Sequence, residues 1–168
     1  MVDLDLTLRT MTAADWTSVA AIYKQGMDTG NATFQQDVPA WNDWNTAHIQ
    51  SCRLVIECDG EILGWAALTP VSGRCVYAGV AEVSVYVSAA HTGQKLGTRL
   101  LGRLIEESEI AGFWTLQAGI FPENMPSIKL HEAFGFRNVG RREKIGKLRG
   151  VWRDTLLFER RSTRVGTA

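Results

Sequence analysis

Alternating positions and positions at helical spacing divide this chain into short elements. "LTLRTMT" alternates apolar with polar and predicts a first strand. Thr12, with Asp15 three residues on, makes a weak capping box ahead of "AADWTSVAAIYKQGM", where Trp16, Val19, Ala20, Tyr23 and Met27 recur at helical spacing. "DTGNATFQQD" is a polar connection, and Pro39 suits the first turn of a second helix through "AWNDWNTAHIQS". "RLVIECDGEILGWAALTP" predicts a hairpin, because Asp59-Gly60 separates two apolar runs. "VSGRCVYAGV" reads as a loop or irregular edge. "AEVSVYVS" then alternates strictly, with Val83, Val85 and Val87 on one face and Glu82, Ser84, Tyr86 and Ser88 on the other. A helix over "GTRLLGRLIEESEIAG" carries Leu100, Leu101, Leu104 and Ile105 on one stripe and stops at Gly112. "FWTLQAGIF" is a further strand, and "PENMPSIKLHEAFGF" holds a short helix begun by Pro126 and ended by Gly135. "NVGRREKIGKLRG" reads as a polar excursion before a last strand, "VWRDTLLFERR", and residues 161–168 as a frayed tail.

The order β, α, α, hairpin, β, α, β, α, β predicts a mixed α/β or α+β fold with helices between strands in the second half. No internal repeat or second core is visible, so residues 1–168 read as one domain. Apolar residues make up 45% of the chain and charged residues 21%, the composition of a globular protein with a sizeable core. Lys plus Arg equals Asp plus Glu at 18 each, which leaves no electrostatic footprint for nucleic acid. No apolar run approaches the ~20 residues of a membrane span. "MVDLDLTLRT" lacks the apolar stretch of a signal peptide. Cys52, Cys58 and Cys75 are odd in number and lack CxxC spacing, which argues against a disulfide framework or metal site and fits a reducing cytoplasm.

The chemistry gathers between the fourth predicted strand and the helix after it. Gly93 and Gly97 flank Gln94, Lys95 and Leu96, and the helix follows at once. Unpaired amides and the positive end of a helix dipole suit a pyrophosphate, and glycine lets an oxyanion approach the backbone. The loop matches neither the P-loop nor the GxGxxG pattern. Its glycines equally serve to cap and turn.

"VSVYVSAAHTGQKLGTRLL" resembles the acetyl-CoA motif of the GNAT superfamily of N-acetyltransferases, Gln/Arg-x-x-Gly-x-Gly/Ala at the start of a helix. Gly97 takes the last position, while Thr92 and Lys95 depart from the first two. "NMPSIKLHEAFGF" is similar to the family's second motif, with Asn124, Ser127, His131, Gly135 and Phe136 in place. With "AEVSVYV" and "GVWRDTLLFERR", the resemblance extends from about Leu6 to Arg161 and points to the phosphinothricin acetyltransferase group. It implies a single mixed, mostly antiparallel, splayed sheet flanked by helices.

The resemblance also implies roles. Acetyl-CoA is the cosubstrate, held by Gly93, Gln94, Lys95, Leu96, Gly97 and Thr98 at the helix start and by Asn124 and Ser127. Asn124 could instead be only a helix cap. The strand backbone at Val85, Tyr86 and Val87 is expected to pair with the pantetheine arm and to supply the oxyanion donor. Glu82 matches a glutamate near the substrate amine and is the candidate base. By itself it reads as an exposed strand-start glutamate. His131 stands where many members have a tyrosine acid, and an imidazole titrates near neutrality. It reads equally as a satisfied, partly buried histidine. Arg74 is the candidate anchor for a substrate carboxylate, with Tyr77 and Phe34 as pocket walls. The basic run Arg141, Arg142, Lys144, Lys147 and Arg149 reads as a solvated face, or as an electropositive rim for an anionic substrate. The expected activity is N-acetylation of a small amino acid such as phosphinothricin, methionine sulfoximine, methionine sulfone or arsinothricin, as detoxification. The alternatives are acetylation of protein N-termini or lysines, and a non-catalytic CoA-binding module. Related enzymes pair as homodimers, and no nucleic acid, membrane or metal partner is expected.

Overall fold

The computed structural model describes residues 5–168; residues 1–4, part of the segment that reads as lacking a leader, lie outside the described residues. The strands are β1 (Leu6–Thr10), β2 (Leu54–Cys58), β3 (Glu61–Pro70), β4 (Val80–Val87), β5 (Thr115–Ile120), β6 (Arg137–Leu148) and β7 (Val151–Arg161). The α-helices are α1 (Trp16–Asp28), α2 (Trp41–Ala47), α3 (Leu96–Ile110) and α4 (Met125–Ala133). One sheet runs in the order β1-β2-β3-β4-β5-β7-β6. All its neighbours are antiparallel except β4 and β5, which the crossover through α3 makes parallel. This is the mixed, mostly antiparallel sheet with flanking helices that the sequence implies.

Apolar layers cover both faces of the sheet centre. Leu54, Ile56, Leu68, Val83, Leu116 and Phe158 pack with Leu100, Leu101 and Leu104 of α3. On the opposite face Val55, Trp65 and Ala67 pack with Val19 and Ile22 of α1 and Trp44 of α2. Burial on both faces explains why "LVI" of β2 runs apolar without alternating. The β2–β3 turn is the expected one, with Asp59 and Gly60 both at positive φ.

Two elements differ from the sequence pattern. The second helix is shorter than "AWNDWNTAHIQS", with Ala40 as its N-cap and Pro39 one residue outside. Buried Arg53 ends this segment: its guanidinium donates to the carbonyls of Asn45 (2.9 Å), His48 (2.9 Å) and Ile49 (2.7 Å). The supposed polar excursion is strand β6, paired along its length with β7 and closed by a turn at Arg149 and Gly150, both at positive φ. As the outermost strand it needs few apolar positions, and its charges discourage pairing with another sheet. The final residues are also tied down rather than frayed. Ser162 is buried, its Oγ accepts the amides of Arg164 and Val165, and Arg161 donates to the Val165 carbonyl.

Candidate active site

The sheet splays where β4 and β5 part. Their ladder covers only Val80↔Thr115, Ala81↔Leu116 and Glu82↔Gln117. Beyond that rung the strands diverge around a cleft of ≈ 720 Å³, lined by β4 from Glu82 to Val87, by Ala118–Phe121 and by residues of α3, α4 and β6. The pleat decides which backbone groups face it. Ser88 donates its N–H to the Leu63 carbonyl at 2.7 Å, and the Val80 carbonyl accepts from Val71, so even-numbered residues of β4 turn toward β3. Odd-numbered residues turn toward β5. In a parallel ladder the last rung takes the Val83 N–H, which makes Val85 and Val87 the first to present free N–H and C=O groups to the cleft. Tyr86 belongs to the other set: its backbone faces Trp65 of β3. Its ring clusters with Tyr23 and Trp65, with centroids 4.9 Å from each, and burial pushes its phenol well above the usual range. Of the three expected backbone contacts, Tyr86 is therefore turned away from the gap.

The helix opening at the other end of the cleft has the anion-site features the sequence suggests. The first turn of α3 closes with Arg99 N–H on the Lys95 carbonyl, and no side chain caps the helix start. The amides of Leu96, Gly97 and Thr98 thus lack intrahelical partners, a fit for a diphosphate. Gly97 lines the cleft, and a Cβ there would sit 3.3 Å from Leu130, so α3 and α4 approach closely at this point. Leu96 is buried and can contribute only its backbone, whereas Gly93, Gln94, Lys95 and Thr98 are exposed. Lys95, which replaces the motif's glycine, is left-handed at φ 60° and ψ 22°. A side chain there costs ~1–2 kcal/mol, partly offset by its lower unfolded-chain entropy. Lys95→Gly is expected to raise stability by ~0.5–1 kcal/mol, read as a Tm increase of about 1–4 °C. A lower Tm would show that the lysine is held there by compensating contacts.

Glu82 lines the cleft where the strands part, and Gln117 Nε2 donates to its Oε1 at 3.4 Å. Phe34 reaches the same cleft from the loop after α1, edge-on to Phe121 with ring centroids 4.9 Å apart. That loop is pinned to the second half of the chain: Asn124 Nδ2, from the start of α4, donates to the Asn31 carbonyl at 3.1 Å, and Arg153 of β7 donates to the Gly30 carbonyl at 2.8 Å. Asn124 Oδ1 accepts the Ser127 amide at 3.3 Å, so both ends of this amide serve the chain itself, as a helix cap and a loop clamp. Ser127 still lines the cleft.

His131 lines the cleft from α4 and is buried, edge-on to Phe136. Its Nδ1 lies 2.7 Å from the Ser127 carbonyl, which can only accept, so Nδ1 carries the proton. Nε2 has no partner. Burial pushes the imidazole pKa below its usual range, so near neutrality Nε2 is a bare acceptor. The resting histidine can take a proton, and can donate one only after gaining it. The sign for stability follows. The unfolded imidazole titrates near 6.5 and the folded one lower, so the unfolded state binds protons first as pH falls. Folding stability is full above pH ~6.5 and lost below it. His48, also depressed by burial, adds to the same loss. Between pH 6.5 and 5, His131→Gln is expected to flatten the stability profile by up to ~1.4 kcal/mol per pH unit. Equal slopes in urea titrations would mean that His131 titrates alike in the folded and unfolded states.

Arg74 and Tyr77 do not join this constellation within the chain. They lie on the loop before β4, where the Arg74 guanidinium sits 5.7 Å from the Tyr77 ring. Tyr77 lines a separate depression with Trp114 and Arg161. Ile145 and Thr155, absent from the sequence-derived set, also line the cleft, and of the basic run only Arg142 reaches its lining. Reading β6 as a strand would have been the signal for them, and its scarcity of apolar positions hid it.

Fold and cleft together set the free backbone edge of a parted strand beside an uncapped helix start. Residues 16–136 match the model of the acetyltransferase (GNAT) family, and the chain belongs to that family. It is 31% identical to the phosphinothricin N-acetyltransferase of Streptomyces viridochromogenes, over 91% of this chain and 86% of that protein. It is 30% identical to the L-methionine sulfoximine/L-methionine sulfone acetyltransferase of Salmonella typhimurium, over 92% and 93%. The structure of a GNAT phosphinothricin acetyltransferase from Sinorhizobium meliloti, in complex with acetyl-CoA, superposes with a TM-score of 0.86 at 27% identity, covering 97% of this chain and 91% of that one. The protein is an acetyltransferase of this family.

Proposed function

We propose that this enzyme acetylates the α-amino group of a small amino acid, of the kind represented by phosphinothricin or methionine sulfone, and so removes the charge by which such a compound imitates a metabolic amino acid. The observation that carries the reading is one cleft that joins the uncapped start of α3, the free backbone edge of β4 and the Glu82 carboxylate. The names of the two relatives support the substrate class.

Acetyl-CoA supplies the acyl group, and its diphosphate suits the amides of Leu96, Gly97 and Thr98. The Val85 N–H suits the thioester oxygen as negative charge grows on it. An ammonium has no lone pair, so Glu82 takes a proton from the bound amine, directly or through water, before nitrogen attacks the carbonyl carbon. The C–S bond then breaks. The nitrogen gives up its second proton, one proton ends on the CoA sulfur and one passes to solvent. Bare Nε2 of His131 can accept a proton and pass it on in this exchange.

The test is release of the CoA thiol, followed with DTNB, over a panel of amines that includes phosphinothricin, methionine sulfone and N-terminal peptides of proteins. Turnover confined to free amino acids is the expected result. Preference for peptides would favour a protein acetyltransferase. Absence of any acetyl-CoA-dependent rise in Tm would count against every enzymatic reading.

A further inference from the structure

We propose that Gly119 is a specificity-determining residue: its missing side chain keeps open the space beside the Glu82 carboxylate that takes the substrate's α-carbon and the first atoms of its side chain. The inference rests on the amino-acid reading above. Along β5 the two faces alternate. Ala118 and Ile120 are buried in the layer that packs on α3. Gln117 and Gly119 turn the other way, toward Glu82. Gln117 Nε2 donates to Glu82 Oε1 at 3.4 Å, and a Cβ on Gly119 would stand 3.8 Å from the same oxygen. Two residues on, Phe121 lines the cleft edge-on to Phe34. This face of the strand thus carries an amide, a bare position and a ring, and the bare position leaves the carboxylate open to the cleft.

Nothing in the chain itself requires glycine here. Where packing does require one, a neighbour occupies the place of the side chain: a Cβ on Gly26 would meet the Tyr86 ring at 2.6 Å, and one on Gly79 the Trp114 ring at 2.0 Å. At Gly119, apart from its chain neighbours, the Glu82 oxygen is the sole atom among the described residues within 4 Å of the Cβ, at an ordinary van der Waals distance. The backbone is not at positive φ, and pairing with Leu157 of β7 runs through this position without a shift in register. Neither a left-handed conformation nor a bulge therefore explains the residue. A glycine inside a strand weakens it, and the remaining cause is the close approach of another molecule to the backbone. Gly119 is exposed and lines the cleft, so that molecule comes from the cleft. The distance identifies the atoms that come there. An amine nitrogen bonded to Oε1 lies ~2.7–3.2 Å from it, which puts the carbon it carries roughly 3.5–4 Å from the oxygen. A Cβ at 3.8 Å falls in the same shell. A side chain at this position and the substrate's own carbons compete for one volume.

The experiment compares Gly119→Ala and Gly119→Val with the wild type, following CoA release with L-methionine sulfone and with L-alanine, whose side chain is a single methyl. Both variants are expected to fold, with Tm unchanged or raised by ~1–4 °C, because a side chain at an ordinary φ restricts the unfolded chain. kcat/KM for methionine sulfone should fall up to ~10-fold in Gly119→Ala and ~10–100-fold in Gly119→Val, the scale on which a pocket weighs single methylenes. The loss for alanine should be smaller in each variant, and KM for acetyl-CoA should stay at the wild-type value. A lower Tm in both variants would show that packing needs the glycine and would overturn the inference. Equal losses for the two amino acids would do the same, and so would a raised KM for acetyl-CoA, which would give the space to the cofactor. Wild-type turnover by Gly119→Val would sink it while leaving acetyl transfer to amino acids intact. Failure of the wild type to acetylate any amino acid would instead remove the functional reading beneath it.

Discussion

Glu82→Gln is expected to lower kcat/KM for the amine by ~10²–10⁴ at neutral pH, the span of general-base contributions. The substitution preserves shape and the approach of Gln117, but an amide cannot accept the ammonium's proton. Acetyl-CoA should still raise Tm as in the wild type, because Glu82 lies at the parting of the strands, away from the start of α3 proposed to take the diphosphate. The deficit should shrink as pH rises toward the amine's own pKa, where the substrate arrives neutral and needs no base. Full activity of the variant at pH 7 would remove Glu82 from the mechanism. A deficit independent of pH would point to amine binding rather than proton removal.

Val85→Pro probes the other half of the site. Proline removes the Val85 N–H, which faces the gap between β4 and β5 and bonds no neighbouring strand. In this half β4 behaves as a local edge, where proline is tolerated. The expected result is a folded protein with kcat/KM reduced ~10²–10³, the usual cost of one oxyanion donor. Ser84→Pro, one residue away, removes an N–H directed at β3. It should cost stability, on the order of 1–3 kcal/mol for the orphaned partner alone. If Val85→Pro kept wild-type turnover, the donor would have to be a different group. If both variants unfolded alike, the alternation of free and paired amides along β4 would be wrong.

Much of this arrangement is legible in the chain because it is local. The stripe Leu100, Leu101, Leu104 and Ile105 dictates α3 through its period, and all four are buried. Asp59-Gly60 dictates its turn through the conformations those residues tolerate. The alternation of β4 places Val83 in the core against α3 and Tyr86 against α1 and β3. Glu82, the start of α3 and His131 could be found because their motifs are contiguous. Which member of the basic run faces the cleft was hidden because β6 has no apolar period of its own; its strand character comes from pairing with β7. Phe34 was a matter of chance in a polar connection until Asn124 and Arg153 clamped that loop. Arg74 reads as well placed, since it immediately precedes the β4 segment, yet nearness along the chain does not bring it into the cleft.

The sequence by itself determined most of the elements, β6 excepted, the family to which they belong and the strand–loop–helix unit that suits acetyl-CoA. Each of these depends on residues within about one element of each other. Only the tertiary structure decided where β4 leaves β5, which amides that parting frees, which tautomer His131 adopts and which arginine stands in the cleft. Those outcomes depend on long-range registers and contacts, in which a strand's partner, rather than its own pattern, sets what each group faces.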